Sequence, residues 1–500
     1  MGKKKSVVLM TLLTIVMVVL CALVAFPSFP IAGTIYSWEP IAMHYDFGAD
    51  LGGGYYTYYY PNGVISETEY THTLAGKEQD GQEAVDEYKA SYKQFGGLYL
   101  STDEEIGVLD NGEVTEEFKT DFNAFVSEVE KRFEQKGYSD YRVAVVDNYS
   151  VRVEVPKAES QVAEVFSKFA ITGEVTLEIG DALVDEMKEE DVTAKDLIKN
   201  ISVGNRYKTA YLKVEFTGKG KELIKRVKAD LPQSSDQSAE GKTLDIKIGG
   251  EKVVSIYKDS LLNSNAEARP MAIEQENAGY IETYSILLNS ALNNPVELEL
   301  GDVTGIANGT AIRQFAPVYG KAVVTLLYIA LGIVLLAVLV LPFVKMGRFG
   351  IVSAYGTLSY FIVAGICFKY ITGGVFEFTL GTVLVFLAGL VLMNVLQMQI
   401  YGAIKKESET KSIEASVKNG YKKTLWGVVD VYAVVLLGAI VLLFAGAGLF
   451  TTALQAIICI VTGAFCNLLW LRAINYMYLS ASKDKYKYFR FVREDDEDDE

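Results

Sequence analysis

The chain has 500 residues, half of them hydrophobic and 22% charged, with a formal net charge of -16. That balance, without any basic patch interleaved with aromatics, excludes nucleic acid as a partner. Two histidines and four cysteines (Cys21, Cys367, Cys459 and Cys466, all in apolar runs) leave no cluster to hold zinc or another metal. There is no P-loop, nucleophile elbow or HExxH pattern, so no enzyme and no cofactor is expected.

In chain order, the first apolar run is Ser6–Phe26. A hydrocarbon core of ~30 Å needs ~20 such residues of helix. The run is long for the core of a cleaved signal peptide, and Leu20 stands where a lipobox before Cys21 would need a small residue. Residues 1–28 are therefore expected to be an uncleaved anchor. Lys3, Lys4 and Lys5 precede it, which predicts a cytoplasmic N-terminus.

Residues 29–318 hold no run long enough to span, and they are expected outside the membrane. A glycine-rich segment, Gly48 to Gly54, leads into Tyr55–Tyr60. It lacks the GxGxxG spacing, and a tight backbone crossing is the simpler reading. The tyrosines suit a strand at an interface or a surface for extended chains. Phe118, Phe122, Phe125, Val129 and Phe133 recur at helical spacing, with Thr115 to cap the start and Gly137 to end it. Val151, Val153 and Val155 alternate with Arg152 and Glu154 as a half-buried strand closed by Pro156. A helix at Val162–Phe169 and a strand at Val175–Ile179 complete a ferredoxin-like βαβ unit. A second helix and strand are expected at Ile281–Leu292 and Val296–Leu300, with further strands at Leu212–Phe216 and Leu244–Ile248. The expected fold is α+β: a base of residues 29–184 and 279–318, with a head lobe, 185–278, inserted.

Five apolar runs follow: Ala322–Val344, Phe349–Phe368, Phe378–Ile400, Leu425–Phe444 and Leu449–Leu471. They make a bundle over residues 319–475, before a charged tail at 476–500. Lys345 and Arg348, then Lys405, Lys406, Lys411, Lys418, Lys422 and Lys423, then Arg472, Lys483, Lys485, Lys487 and Arg490 fall in alternate connections. The positive-inside rule puts these on one side with both termini, in the cytoplasm of a multi-pass cell-membrane protein. Inside the runs, Asp430 costs ~2.5–3.5 kcal/mol if charged at mid-membrane, which marks it as functional or paired. Asn394 and Gln397 share a helix face that should meet the next span or a partner chain, and Gln455 and Asn467 are candidates for the same seam.

One span, a large outside domain and five spans is a layout that resembles the SecD family, half of an RND-superfamily transporter. The family's G-L-D-L-x-G-G signature reads here Gly48-Ala49-Asp50-Leu51-Gly52-Gly53. Its K-S-I-x-x-A-I-x-x-G stretch reads Lys411-Ser412-Ile413-Glu414-Ala415-Ser416-Val417-Lys418-Asn419-Gly420, and its G-x-G turn is matched by Gly446 and Gly448. The family's V-D-A-N-V reads Val391-Leu392-Met393-Asn394-Val395, with Leu392 at the Asp position; a second D-A-N reads Asp430-Val431-Tyr432. The resemblance implies an accessory subunit of protein export that captures and releases chains, driven by proton or sodium motive force. Its partners would be a SecF-like subunit, the SecYEG channel, SecA, unfolded secretory polypeptides and membrane lipids. The relay candidates are Asp430, Asn394, Gln397 and Tyr432, and the glycine motif is Gly48, Asp50, Gly52 and Gly53. The altered Asp and Asn positions leave two rivals open: an RND-type lipid or small-molecule exporter subunit, and a membrane-anchored scaffold that has lost coupling.

Overall fold

The computed structural model describes residues 3–25, 29–30, 37–38, 46–105, 107–137, 141–157, 161–180, 182–188, 192–206, 209–234, 242–262, 265–270, 278–371, 377–445 and 447–481. The chain forms two units. One is Met1–Gly53, Pro156–Ala158 and Ala316–Glu500; the other is Gly54–Val155 and Glu159–Phe315. The glycine motif thus belongs to the membrane unit, and the soluble unit starts after it.

The chain opens with helix α1 (Lys3–Ala25) and a short strand β1 (Asp46–Phe47). In the soluble unit β2 (Gly54–Tyr59) precedes the long α2 (Glu116–Lys136), which begins and ends as its sequence dictates. The Thr115 side chain accepts from Phe118 N, and Gly137 turns left-handed at φ 80. Next come β3 (Arg142–Val146), β4 (Ser150–Pro156), α3 (Val162–Phe169) and β5 (Val175–Ile179). They are followed by β6 (Ile198–Arg206), β7 (Thr209–Phe216), α4 (Gly218–Val227), β8 (Leu244–Ile248), β9 (Glu251–Ile256), β10 (Asn265–Pro270), α5 (Ala278–Asn293) and β11 (Arg313–Phe315).

Among the described residues these strands build two main sheets. One has the order β3-β4-β2-β11. Phe118, Phe122, Phe125, Val129 and Phe133 of α2 belong to its core with Val151, Val153 and Val155. The other runs Ala182–Leu183, β5, β8, β9, β10, β7, β6, with Leu261–Leu262 paired to β10. Its core holds Leu177, Leu212, Val214, Leu223, Ile246 and Val254. The strand expected to close a βαβ unit with β4 is therefore elsewhere: β5 pairs antiparallel with β8, Val175 opposite Ile248. A glycine contact redirects the chain. A Cβ on Gly173, at φ 109, would lie 2.4 Å from Gly249 Cα, so only glycine allows this crossing. Alternation predicted a buried face for β5 but not which sheet would bury it. The strand expected at Val296–Leu300 is not a ladder strand either; only Leu300 forms a bridge, to Pro61.

The α5 helix serves both cores. Ile281, Leu287, Leu288 and Ala291 pack with the larger sheet, and Ile286 packs with the phenylalanine core. Its polar residues are equally occupied. Asn289 donates to Ile201 O and accepts from Ile201 N at 3.1 Å, covering the outer edge of β6. Ser290 receives Arg132 Nε at 2.6 Å and donates to Glu128 at 2.7 Å. Arg132 also donates to Phe169 O and Ile171 O. Burial pushes its pKa down to about 10, against the opposing pull of Glu128.

The membrane unit continues with α6 (Lys321–Met346), α7 (Phe349–Ile371), β12 (Glu377–Phe378), α8 (Leu380–Ser408), α9 (Ile413–Leu442), α10 (Ala447–Phe465), a π-helical turn (Cys466–Trp470) and α11 (Leu471–Ala481). Among the described residues five helices are long and apolar enough to cross a membrane, α10 counted together with its continuation to Leu479. In α1 the apolar stretch among described side chains, Lys5–Leu20, is shorter. That helix nevertheless packs in the bundle, with Thr14 Oγ1 2.5 Å from the Tyr355 hydroxyl and Met17 Sδ accepting from Ser359. The fifth apolar run was expected from Leu425, yet its helix starts at Ile413. Ion pairs explain the early start: buried Glu407 at the end of α8 takes Lys411 at 2.6 Å and Lys423 of α9 as well. The two helices meet closely at Gly420, where a Cβ would lie 2.8 Å from Ile404 Cα.

Candidate functional site

The candidate site is a buried polar seam in the helical bundle. Asn394 and Gln397 lie three residues apart on α8 and are 5% and 1% exposed. Their face meets α7, not the following span. The Ser353 hydroxyl lies 3.3 Å from Asn394 Oδ1 and 3.0 Å from Gln397 Oε1. One hydroxyl proton serves one acceptor at a time, so these two carbonyls compete for it. Asn394 Nδ2 donates back to Leu390 O at 2.9 Å, and Gln397 Nε2 donates to the Tyr401 hydroxyl at 2.6 Å.

One step along, Tyr432 of α9 accepts from Asn467 Nδ2 at 2.8 Å, and the same amide donates to Met393 O at 2.9 Å. Met393 adjoins Asn394 in the chain, so Asn467 lies beside the first cluster. Asn467 sits in the π-helical turn; such turns free backbone and side-chain groups from the regular ladder. This irregularity has no signature in the sequence. Gln455, expected in the seam, is buried, and neither of its amide atoms has a hydrogen-bond partner among the described residues. Gln399 is exposed.

Asp430 is not in the seam. It lies on the exposed side of α9, on a stripe with Trp426, Val434, Leu437 and Val441, all more than 60% exposed. Leu392, at the position where the resembled family carries Asp, is half-buried among apolar side chains. The relay candidates thus fall in three places: Asn394 with Gln397, Tyr432 with Asn467, and Asp430 facing away from this chain's bundle.

The glycine motif is a staple within the membrane unit. Ala49–Gly52 forms one helical turn, and Gly48 N donates to Phe378 O at 2.9 Å as β1 pairs parallel with β12. Asp50 Oδ2 accepts from Leu380 N at 2.7 Å, the first helical residue of α8. A carboxylate there complements the unpaired N–H groups and positive dipole of that helix end. Gly53 takes φ 75. A Cβ on Gly52 would lie 3.0 Å from Phe47 Cβ and 3.1 Å from Phe47 O. The motif works by backbone geometry, as a tight crossing. Gly446 lies outside the described residues, and nothing is described of the Gly448 environment.

In the soluble unit the tyrosine run is a strand, as its composition suggested. Tyr59 is buried and donates to Phe166 O at 2.8 Å. Tyr56 and Tyr58 share the opposite face, where the Arg152 guanidinium lies 4.2 Å and 5.9 Å from their ring centres. Among the described residues no group of three or more His, Cys, Asp or Glu is placed to hold a metal.

No family model and no curated protein matches the chain. Solved structures do. SecDF in its super-membrane-facing form matches with a TM-score of 0.52 and 16% identity, over 95% of this chain and 58% of that one. A second SecDF structure, described as a translocon-associated membrane protein from Thermus thermophilus, matches with a TM-score of 0.39 and 17% identity, over 97% of this chain and 60% of that one. The chain has a SecDF-like fold and spans little more than half the length of the SecDF chain that shares it.

Proposed function

From that fold we propose that the chain is a SecD-like subunit of the protein-export accessory machinery, assisting late steps of translocation. One observation carries the reading. The fold aligns with SecDF over 95% of this chain while covering 58% of that one. A SecF-like subunit would be one partner, with the SecYEG channel and SecA as further partners and unfolded secretory chains as clients. The α+β unit would lie outside the cell membrane and both termini inside. Capture and release would use the soluble unit's two cores, with α5 between them as the pivot.

Asp430 supports a partner on the exposed face of α9. Lipid offers a carboxylate nothing, and a charge costs up to ~2.5–3.5 kcal/mol at mid-membrane, less toward the interface, unless protein or water answers it. Affinity purification of the full chain in mild detergent tests the reading. Recovery of a SecF-like protein and channel subunits is expected; a chain that purifies only with itself would sink it and favour a homodimeric exporter.

The uncoupled scaffold is the second reading, favoured by Leu392 and by the distance of Asp430 from the Asn394–Gln397 cluster. Asp430→Asn separates the two. If ion flow drives export, the variant and an ionophore each slow secretion of a reporter protein, and together they do no more than either alone. If neither has an effect, the scaffold stands.

A further inference from the structure

At the end of the bundle where α6 begins and α7 ends lies a cavity of about 400 Å³. Phe47 and Leu51 of the glycine staple, Leu327 and Tyr328 of α6, Phe361 of α7 and Phe386 of α8 are among its walls. Among the described residues the walls are hydrocarbon and aromatic carbon with the Tyr328 hydroxyl as the only side-chain polar group; Gly365 brings no side chain. We infer that this cavity holds one acyl chain of a membrane phospholipid.

Four observations point to that occupant. The first is depth. The α6 wall residues run from Val324 to Leu331 and the α7 wall residues from Phe361 to Phe368. At ~1.5 Å per residue all lie within ~15 Å of their helix ends, half of the ~30 Å hydrocarbon core and so one leaflet deep. The second is continuity with lipid-facing surface. Only 6% of the α6 span is buried; Leu326, Ile329, Ile333 and Leu336 are each more than half exposed, and Tyr328, itself 60% exposed, borders the cavity. The third is size. A volume of 400 Å³ sits within the ~300–1,000 Å³ of small-molecule sites, whereas a helix ~10–12 Å across cannot enter it. The fourth is chemistry. An extended peptide would bring backbone N–H and C=O groups with nothing to pair them, at several kcal/mol each, and a hydrocarbon chain brings none. Asp50 holds the staple that forms the cavity's rim, so the acyl chain would pack against the segment that fixes the start of α8. The inference is independent of the export reading.

Photolabelling tests it on the full chain in phosphatidylethanolamine–phosphatidylglycerol vesicles doped with a phospholipid carrying a diazirine at the end of one acyl chain. Adducts mapped by mass spectrometry are expected at Leu327, Phe361 and Phe386, three helices facing one space, in excess of those at Leu336 on the open face of α6. Leu327→Trp fills the cavity from α6 and Val383→Phe narrows it from α8. Each is expected to abolish labelling at Phe361 while Leu336 stays labelled, and Leu336→Trp is expected to leave Phe361 labelled. Even labelling along α6, or labelling at Phe361 that survives both filling variants, overturns the proposal. Labelled Leu336 in the variants reports that the helix is still inserted, so loss at Phe361 is not loss of fold.

Discussion

Asp50, Arg132 and Tyr432 each act through hydrogen bonds to residues distant in the chain. The Asp50 carboxylate takes the first helical N–H of α8 at 2.7 Å. Asp50→Ala leaves that N–H without its side-chain acceptor and should lower the unfolding free energy of the full chain by ~1 kcal/mol, read as a fall in melting temperature in detergent. Arg132 is fully buried and reaches Ser290, Phe169 O and Ile171 O. Arg132→Met leaves Phe169 O and Ile171 O without their arginine donor and removes the guanidinium from the Ser290 hydroxyl that reaches Glu128. The loss should be at least ~1–3 kcal/mol, the usual cost of leaving a buried acceptor unsatisfied, and denaturant unfolding of the full chain measures it. Tyr432→Phe removes one of the two acceptors of Asn467 Nδ2 and should cost about 0.6–1.7 kcal/mol, the range of hydrogen bonds between membrane helices.

At the scale of elements, α5 sets what the soluble unit can do. Through Ile286 it belongs to one core and through Leu287 and Leu288 to the other. Any movement of one lobe against the other has to bend or slide about this helix. Asn289→Leu would leave the Ile201 N–H of the β6 edge without its acceptor, while the Ile201 carbonyl keeps the Ser285 hydroxyl. The variant should aggregate at lower concentration than its parent in light scattering, because an open strand edge recruits others. The sequence made some of these elements plain and not others. Phenylalanines at helical spacing between Thr115 and Gly137 specify α2 to the residue, and hydropathy marks the membrane helices after residue 320, though not the early start of α9 at Ile413. What did not show was partnership. Alternation in Val175, Leu177 and Ile179 marks a strand with one buried face, but the Gly173–Gly249 crossing that hands it to the second sheet joins residues far apart in the chain. The Asn394 face met α7 through Ser353, a residue that looks like any small membrane serine. The outward aspect of Asp430 depends on which side of α9 the neighbouring helices take, and spacing within one helix does not encode that.

For the whole molecule, the membrane unit is assembled from the two ends of the chain with the soluble unit between them. Asp50 and Leu380, joined by one hydrogen bond, stand 330 residues apart. During synthesis the ribosome must add all of those residues before the carboxylate meets its partner. At ~5–20 residues per second this is a delay of roughly 15–70 s. The soluble unit is complete by Phe315, so it has time to fold before α8 exists to be fastened. Through that interval the glycine segment behind α1 has no α8 to grip. A membrane unit whose final clasp waits on translation of the domain inside it is a natural point for a chaperone, or for a lipid, to hold the place.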